Sequence, residues 1–458
     1  MGSSWISLTD LKRNFEEVKA GMKPKEALEE SNRCLFCYDA PCTRACPSGI
    51  DVPSFIKKIA TGNLKGSART ILEANPVGAS CARVCPTEEL CEGACVLNQS
   101  SKPIAIGQLQ RYATDWAIAH DPELFEAGPS NGRSVAVVGG GPAGLSAARE
   151  LARLGFEVAV YEAKPQAGGL DTFGIVSFRL PEEISLWEVQ QVERLGVTFH
   201  VNTRVGVDVS SEALLERYDA VLLAAGMAQV PMLGIPGEGL DGVHDAIDFV
   251  ERTKAGLGVE RSLDTSLVGK RVAVIGAGNT AIDAATCSVR LGAAEVEIVY
   301  RRSAAEMTAY DFEYEFAKQD GVRFRWLTAP TRIVGDEAGR VVALACIRME
   351  LVDAGSGRKE PKPIAGTAFE IPVDAVVKAI GQTRHLALIE AFGLQHVNGT
   401  VVVQPVTGAT SHPKVYAAGD IRFGAGQGEA MVVSAAQQGK DAAYAIHEQL
   451  VKGREASA

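Results

Sequence analysis

Apolar positions change character once along the chain. Between residues 8 and 30, and again between 51 and 74, they recur at helical spacing; Ile56, Ile59, Leu64, Ile71 and Leu72 mark the second stretch. Residues 1–125 therefore read as a small helical domain. The stretch AIAHDPELFEAGPSNGR, residues 117–133, then gathers Pro, Gly, Ser and Asn and reads as a linker. Beyond it, short unbroken apolar runs alternate with helical stretches: a strand at Val135–Val138, a helix from about Pro142 to Leu154, and a strand at Glu157–Tyr161. The same order begins again about 137 residues later, in KRVAVIGAGNTAIDAATCSVRLGAAEVEIVYRRS. Two near-repeats, DAVLLAAGM (Asp219–Met227) and DAVVKAIGQ (Asp374–Gln382), each read as a buried strand ending in a glycine turn. A last strand at Val415–Ala418 leads through Gly419 and Asp420 into a glycine-rich segment and a helix. The pattern predicts an α/β fold with parallel sheets behind a helical N-terminal part. Its segments are 1–125, 130–240, 241–395 and 396–458.

Composition narrows the class. The 458 residues are 46% hydrophobic and 22% charged, with mean hydropathy +0.05, which suits globular domains with sizeable cores and excludes a disordered or collagenous chain. No apolar run reaches the ~18 residues that span a bilayer. The N-terminal MGSSWISLTDLKRNFEEVK lacks the apolar centre of a secretory signal, so a cytoplasmic location is expected. With 46 basic and 56 acidic residues the net charge is −10, which argues against nucleic acid as a ligand. Aromatic residues, at 6%, are too few for a base-stacking platform.

The strand–turn–helix–strand units carry the first chemistry. Gly139, Gly141 and Gly144 form a G-x-G-x-x-G turn directly after a strand. The first glycine allows the tight turn, the second lets backbone approach a pyrophosphate, and the third lets helix pack closely on strand. The helix N-terminus offers donors to phosphate. Glu162 ends the next strand, where a carboxylate can bind ribose hydroxyls. In the second unit Gly276, Gly278 and Ala281 take the glycine places, but Tyr300-Arg301-Arg302 replaces the acid. An arginine there can grip a 2′-phosphate bidentately, so this site reads as NADPH-binding; a solvated arginine pair beside bound NADH is the alternative. The helix after Asp420 could bring its N-terminus near a flavin ring, and Asp420 equally suits a turn cap.

Eight of the ten cysteines lie between positions 34 and 95, as Cys34-x2-Cys37-x4-Cys42-x3-Cys46-Pro47 and Cys81-x3-Cys85-Pro86-x4-Cys91-x3-Cys95; Cys287 and Cys346 are isolated. Zinc sites usually show two separated CxxC pairs, and here there is one. Gaps of two to five with a closing Cys-Pro are ferredoxin-like. Two 4Fe–4S clusters are therefore expected, ahead of zinc or a disulfide framework; spacing does not say which cysteine serves which cluster. The seven histidines form no paired ligand motif, and His244 reads as structural or surface. No acid/base pair or nucleophile of the hydrolase kind is expected.

Two nested dinucleotide units with a strand-end AAGD resemble the glutathione-reductase type of flavoprotein, in which the first unit holds FAD and the second the nicotinamide nucleotide. The redox disulfide of those reductases is missing, since neither Cys287 nor Cys346 lies in a CxxC or CxxxxC pair. With the cysteine segment, the chain is similar over its whole length to the small subunit of glutamate synthase and the N-terminal half of dihydropyrimidine dehydrogenase. RCLFCYDAPCTRACPSGID, CARVCPTEELCEGAC and PIAIGQLQRYATD favour the pyrimidine branch. There a glutamine in the place of Gln110 ligates one cluster, where glutamate synthases usually carry glutamate.

The resemblance implies a helical bis-4Fe–4S domain followed by a two-dinucleotide-domain flavoprotein: FAD-binding at 130–240 and 396–458, NADP-binding at 241–395. It implies one cluster on Cys34, Cys37, Cys42 and Cys95, a second on Cys46, Cys85, Cys91 and the Gln110 amide, and Cys81 as spare. FAD would contact Gly139, Gly141, Pro142, Ala143, Gly144, Glu162, Gly169, Leu170, Arg179, Val205, Gly226, Gly419, Asp420 and Met431. NADP(H), with NAD(H) the other possibility, would contact Gly276, Ala277, Gly278, Asn279, Thr280, Arg301, Arg302, Ala379 and Gly381. Pyrimidine reduction in this family takes place at FMN in a barrel of ~250 residues, and none of the 458 residues is left to build one. The expected partner is a catalytic subunit with an FMN barrel and ferredoxin-type clusters, or else the glutamate synthase large subunit. A third class is a non-catalytic bifurcation or scaffold component.

Overall fold

A computed structural model of the chain describes residues 8–258, 266–353, 359–424 and 430–452. The chain divides into two compact units. One holds Lys19–Thr172, Arg179–Met227 and the residues from Arg384 on; the other holds the residues up to Val18, Phe173–Phe178 and Ala228–Thr383.

The first unit opens with helices at Pro24–Arg33, Pro41–Ala45, Val52–Ala60, Leu64–Ala74, Gly78–Val84 and Ile106–His120. Prolines sit in the first turn of three of them, where no amide hydrogen is missed. Asp51 caps the Val52–Ala60 helix by accepting from Ser54 N at 3.1 Å, and Asn63 caps the Leu64–Ala74 helix by accepting from Gly66 N at 2.9 Å. The two long helical stretches expected from periodicity are thus each interrupted. Pro24 holds Lys23 extended, and Gly62, at φ +76°, ends the Val52–Ala60 helix. Phe55, Ile56, Ile71, Ile106 and Leu109 form the core of this part, with Cys34, Cys42, Cys46 and Cys91 packed against it.

Behind the helices lies a parallel sheet in the order Val415–Ala417, Ala220–Leu223, Ser134–Val138, Glu157–Tyr161, Thr198–His200. Alternate residues of its strands enter different cores: Val135, Val137 and Leu222 on one face, Ala136, Val138, Val221 and Leu223 on the other. A sheet covered on both faces explains why these strands read as unbroken apolar runs. Residues 117–133 are not the free linker expected. The last helix runs on to His120, Leu124 is buried, and Gly128 N and Asn131 N donate to Ala152 O and Gly155 O at 3.0 and 2.9 Å.

The second unit repeats the order with Val243–Asp245, Ala375–Lys378, Arg271–Ile275, Glu295–Val299 and Arg323–Arg325. The near-repeats occupy equivalent places: Val221 lies opposite Ala136, and Val376 opposite Ala273. A four-stranded antiparallel sheet follows, from Thr328–Gly335, Val341–Val352, Glu360–Pro363 and Phe369–Pro372; nothing in the sequence reading anticipated it. The chain passes between the units at 18/19, 172/173, 178/179, 227/228 and 383/384. Leu233, Ile235 and Leu240 pack on the Val341–Leu344–Ile371 core, whereas Ile389, Phe392 and Leu394 belong to the first unit's core. The Leu8–Asn14 helix also leaves the helical part: Leu11 and Phe15 are buried in the second unit, and Asn14 Nδ2 donates to Arg290 O at 3.0 Å. No helix among the described residues is long and apolar enough to cross a membrane.

Candidate functional site

The first glycine turn builds a groove without side chains. Gly139 turns at φ +105°, and a Cβ on it would stand 2.7 Å from the Ala224 carbonyl carbon. Gly169, at φ +59°, faces Gly141, where a Cβ would lie 2.8 Å from the Gly141 Cα. Gly168 N donates to Gly140 O at 2.7 Å. The groove opens at the start of the Pro142–Arg153 helix, whose first turn contains Ala143 and Gly144. A cradle that any Cβ would fill, at a helix N-terminus, suits a dinucleotide pyrophosphate. Gly419 joins it: its N donates to Gln438 Oε1 at 2.9 Å, and a Cβ on it would meet the Ala143 Cβ at 3.0 Å.

Glu162 does more than the sequence suggested. Its Oε2 accepts from Gly140 N and its Oε1 from Lys164 N, both at 2.8 Å. The carboxylate thus fixes the glycine turn, and each oxygen keeps a lone pair for a ribose hydroxyl. Asp420 caps no helix. Burial pushes its carboxyl up while the Arg384 guanidinium pulls it back, and Arg384 Nη1 donates to Asp420 O at 3.2 Å. Gly226 turns at φ +67°, near the His385 ring, which lies close to the backbone of Met227 and Ala225 and whose pKa burial lowers. Leu170 opens the short Leu170–Phe173 helix, Val205 is buried in the sheet core, Arg179 is half-buried, and Met431 immediately precedes the Val432–His447 helix. The glycine-rich residues 425–429 lie outside the described residues. Arg384, His385 and Gln438 were missed because no local pattern marks a residue that reaches a turn from another segment.

The second turn is a close copy. Gly276, at φ +127°, would place a Cβ 2.8 Å from the Ala379 carbonyl carbon. Gly278 precedes the Asn279–Arg290 helix, with Thr280 in its first turn. The Thr308–Tyr310 segment, unforeseen, borders this turn: Thr308 N and Ala309 N donate to Ala277 O at 3.2 and 3.1 Å, and Tyr310 N to Asn279 Oδ1 at 3.2 Å. Gly381 turns at φ +93° beyond the Ala375–Lys378 strand. Nearby arginines are engaged, Arg323 with Glu295 and Arg325 with Glu297 at 2.8 Å. Arg301 is exposed and makes no ion pair among the described residues. Arg302 buries an Nη1 that has no hydrogen-bond partner. Unused donors at the strand end fit an anion such as a 2′-phosphate.

The thiols converge in two groups. Cys34, Cys37, Cys42 and Cys95 line one cavity with Val52, Ile56, Ile104 and Ile106. Burial raises the Cys34 thiol and takes Cys42 to about 11, and the neighbouring thiols add to both shifts. In the second group, burial raises Cys46, Cys81 and Cys91; Cys46 faces Cys81 and Cys91 faces Cys46. Cys81, expected to be spare, is buried beside Cys85. Gln110 is buried on the Ile106–His120 helix and donates through Nε2 to Gly78 O at 2.7 Å, which leaves Oε1 as the atom available to a metal. Among the described residues no three His, Cys, Asp or Glu side chains form a site for a single ion. Crowded, desolvated thiols that mutually resist ionisation suit a polynuclear cation centre, whose ligands sit on different irons.

Comparisons with known proteins identify the family. A family model described as dihydropyrimidine dehydrogenase domain II, 4Fe–4S cluster, matches residues 11–122, and one described as pyridine nucleotide-disulphide oxidoreductase matches residues 133–439. The NADP(+)-dependent formate dehydrogenase subunit beta of Moorella thermoacetica is 38% identical over 90% of the chain, which spans 60% of that protein's length. The glutamate synthase [NADPH] small chain of Escherichia coli is 33% identical over 95% of this chain and 94% of its own. The NAD-dependent dihydropyrimidine dehydrogenase subunit PreT of Salmonella typhimurium is 34% identical over 95% and 97%. Among solved structures, FprA from Mycobacterium tuberculosis in complex with NADPH superposes with TM-score 0.58 and 26% identity, over 71% of this chain and 86% of that one. The chain belongs to the pyridine nucleotide-disulphide oxidoreductase family, in the branch that carries an N-terminal 4Fe–4S domain, and is an NAD(P)-dependent electron-transfer flavoprotein using FAD, NADP(H) and iron–sulfur clusters.

Proposed function

We propose that the chain is the electron-input subunit of a two-component pyrimidine reductase, feeding a partner that converts uracil or thymine to dihydropyrimidines or runs the reverse reaction. When bound, nicotinamide and FAD supply hydride chemistry and the clusters supply one-electron carriers. The chain's own residues bind and orient. Arg301 and Arg302 grip the 2′-phosphate of NADPH, and the turns at Gly139–Gly144 and Gly276–Thr280 seat the pyrophosphates. Cys34, Cys37, Cys42 and Cys95 hold one cluster; Cys46, Cys85, Cys91 and Gln110 Oε1 hold the other. No side chain serves as a nucleophile.

The observation that carries this reading is the buried Gln110. Its amide donor is fixed on Gly78 O, so the carbonyl oxygen is oriented, and an amide ligand is the mark of the pyrimidine branch. A neutral donor also leaves the cluster less negative than four thiolates would, one determinant of its potential. The second reading, a glutamate synthase small chain, is favoured by relatives of that name matched over almost their full length. The test is anaerobic NADPH oxidation by the isolated chain mixed with an FMN-barrel subunit. Uracil-dependent turnover is expected. Turnover only with the glutamate synthase large subunit, 2-oxoglutarate and glutamine would replace the proposal.

A further inference from the structure

Glu188 takes no part in either nucleotide turn, yet it is 1% exposed. It lies on the Glu182–Glu193 helix and reaches the Gly78–Val84 helix of the cysteine segment. Its Oε1 accepts from Ala79 N at 2.8 Å and Ser80 N at 3.0 Å, and its Oε2 from the Ser80 hydroxyl. These amides are among the donors a helix leaves unsatisfied in its first turn, and Val77, in the capping place, has no side-chain acceptor. The carboxyl supplies from a distant segment what the local sequence lacks.

That short helix builds part of the second thiol group. Cys81 follows Ser80 and lies beside Cys85. Cys85 closes the helix with its amide donating to Cys81 O at 3.0 Å. Cys81 packs in the same core as Val77 and Leu145, with Cys46 and Cys85 against it. Gln110 holds Gly78 O on the other side of the turn. One helical turn is thus clamped by Glu188 and Gln110, and it sets how the Cys81 thiol meets the Cys85 sulfur. Hydrogen bonds to ligand sulfurs and the groups behind them tune cluster potentials.

We propose that Glu188 is a positioning residue for the second iron–sulfur cluster: by fixing the Ala79–Ser80 turn it sets the Cys81–Cys85 geometry and with it that cluster's reduction potential. The inference rests on reading Cys46, Cys85, Cys91 and Gln110 as the cluster site. Burial pushes the Glu188 carboxyl up to about 8, so glutamine is its near-isostere at neutral pH.

The experiment is an anaerobic EPR-monitored redox titration of the full holo-protein, with Cys37→Ala identifying the first cluster's signal. Glu188→Ala is expected to change the second cluster's reduction equilibrium at least tenfold, 59 mV for one electron, with the first cluster and FAD unmoved. Glu188→Gln is expected to restore the native value. If Glu188→Ala does not fold, Ser80→Ala serves, with a selective shift of the same cluster expected. The proposal is overturned if the variant leaves that cluster's potential and g-values unchanged, or if all three centres shift together. Failure of the underlying reading looks different: wild-type protein would itself lack a second cubane signal.

Discussion

Gly439 offers a sharp test of how packing supports the flavin site. It sits in the Val432–His447 helix where that helix crosses the Pro142–Arg153 helix. A Cβ at Gly439 would stand 2.9 Å from the Ala143 carbonyl carbon and 3.1 Å from its Cα, and would overlap the carbonyl oxygen. Carbon atoms rest at about 3.5–4.0 Å, so the helices must part by several tenths of an ångström or more. Both obstructing groups are backbone, and no rotamer change relieves them. Overpacking of this kind costs about 1–3 kcal/mol, and the upper end applies; alanine regains roughly 1 kcal/mol of helix propensity. Gly439→Ala should therefore destabilise by about 2 kcal/mol, lowering the unfolding midpoint by roughly 4–8 °C at the 2–4 °C per kcal/mol typical of a unit this size. Since Ala143 and Gly144 open the pyrophosphate cradle, FAD occupancy should fall as well. The assay is thermal release of flavin fluorescence with flavin content measured after gel filtration. Gly239→Ala, where an added Cβ meets nothing within 4 Å, is the control. A Gly439→Ala protein with full flavin and an unmoved midpoint would refute the reasoning.

Three further outcomes follow from the same structure. Cys37→Ala should halve the iron, from about eight to about four atoms per chain if each cluster is a cubane, while FAD stays bound; unchanged iron would contradict the first ligand set. Arg301→Glu should raise the Michaelis constant for NADPH roughly tenfold to a hundredfold, the value of a lost charged hydrogen bond of about 1.5–3 kcal/mol, with NADH little affected; unchanged kinetics with both would refute the 2′-phosphate site. Glu188 should make stability fall with pH. Its carboxyl titrates at about 8 in the fold and near 4.3 when unfolded, so the folded state holds the extra proton between them and loses about 1.4 kcal/mol per pH unit until pH passes about 8. Denaturant midpoints of wild type and Glu188→Gln between pH 6 and 8 should diverge accordingly; parallel curves would show that the carboxyl is ionised throughout.

Much of the fold was legible because its signals are local. The strand at Glu157–Tyr161 is where the apolar run placed it, and the paired DAVLLAAGM and DAVVKAIGQ strands sit in equivalent sheet positions. Both glycine turns were legible for the same reason, since a tight turn before a helix leaves a fixed spacing. The antiparallel sheet was not, because Val341–Val352 alternates burial only in part and carries register shifts against its neighbour. The Leu8–Asn14 helix was misplaced because Leu11 and Phe15 give a helical stripe without naming the core that receives it. The second thiol group was legible as a set of residues. What escaped was the contact of Cys81 with Cys85 and the grip of Glu188, which depend on segments far apart in the chain.

Those distant ties share one electrostatic logic. The Leu64–Ala74 helix ends, and the Gly78–Val84 helix begins, within a few residues of each other. The unpaired carbonyls at the first end are met by cations: Arg149 donates to Leu72 O and Glu73 O, and Lys440 donates to Ala74 O. The unpaired amides at the second start are met by the Glu188 carboxyl. Each side chain has the sign or polarity that its helix end favours. All three come from the helices that flank the first sheet, Pro142–Arg153, Val432–His447 and Glu182–Glu193. Burial lowers the pKa of Arg149 and of Lys440, a desolvation cost that a merely tethered domain would not need to bear. A turn seated by matched groups at both ends has its register fixed by the flavin-binding helices themselves. That holds the second thiol group in place relative to the same unit's nucleotide cradle, as one-electron transfer between fixed centres requires.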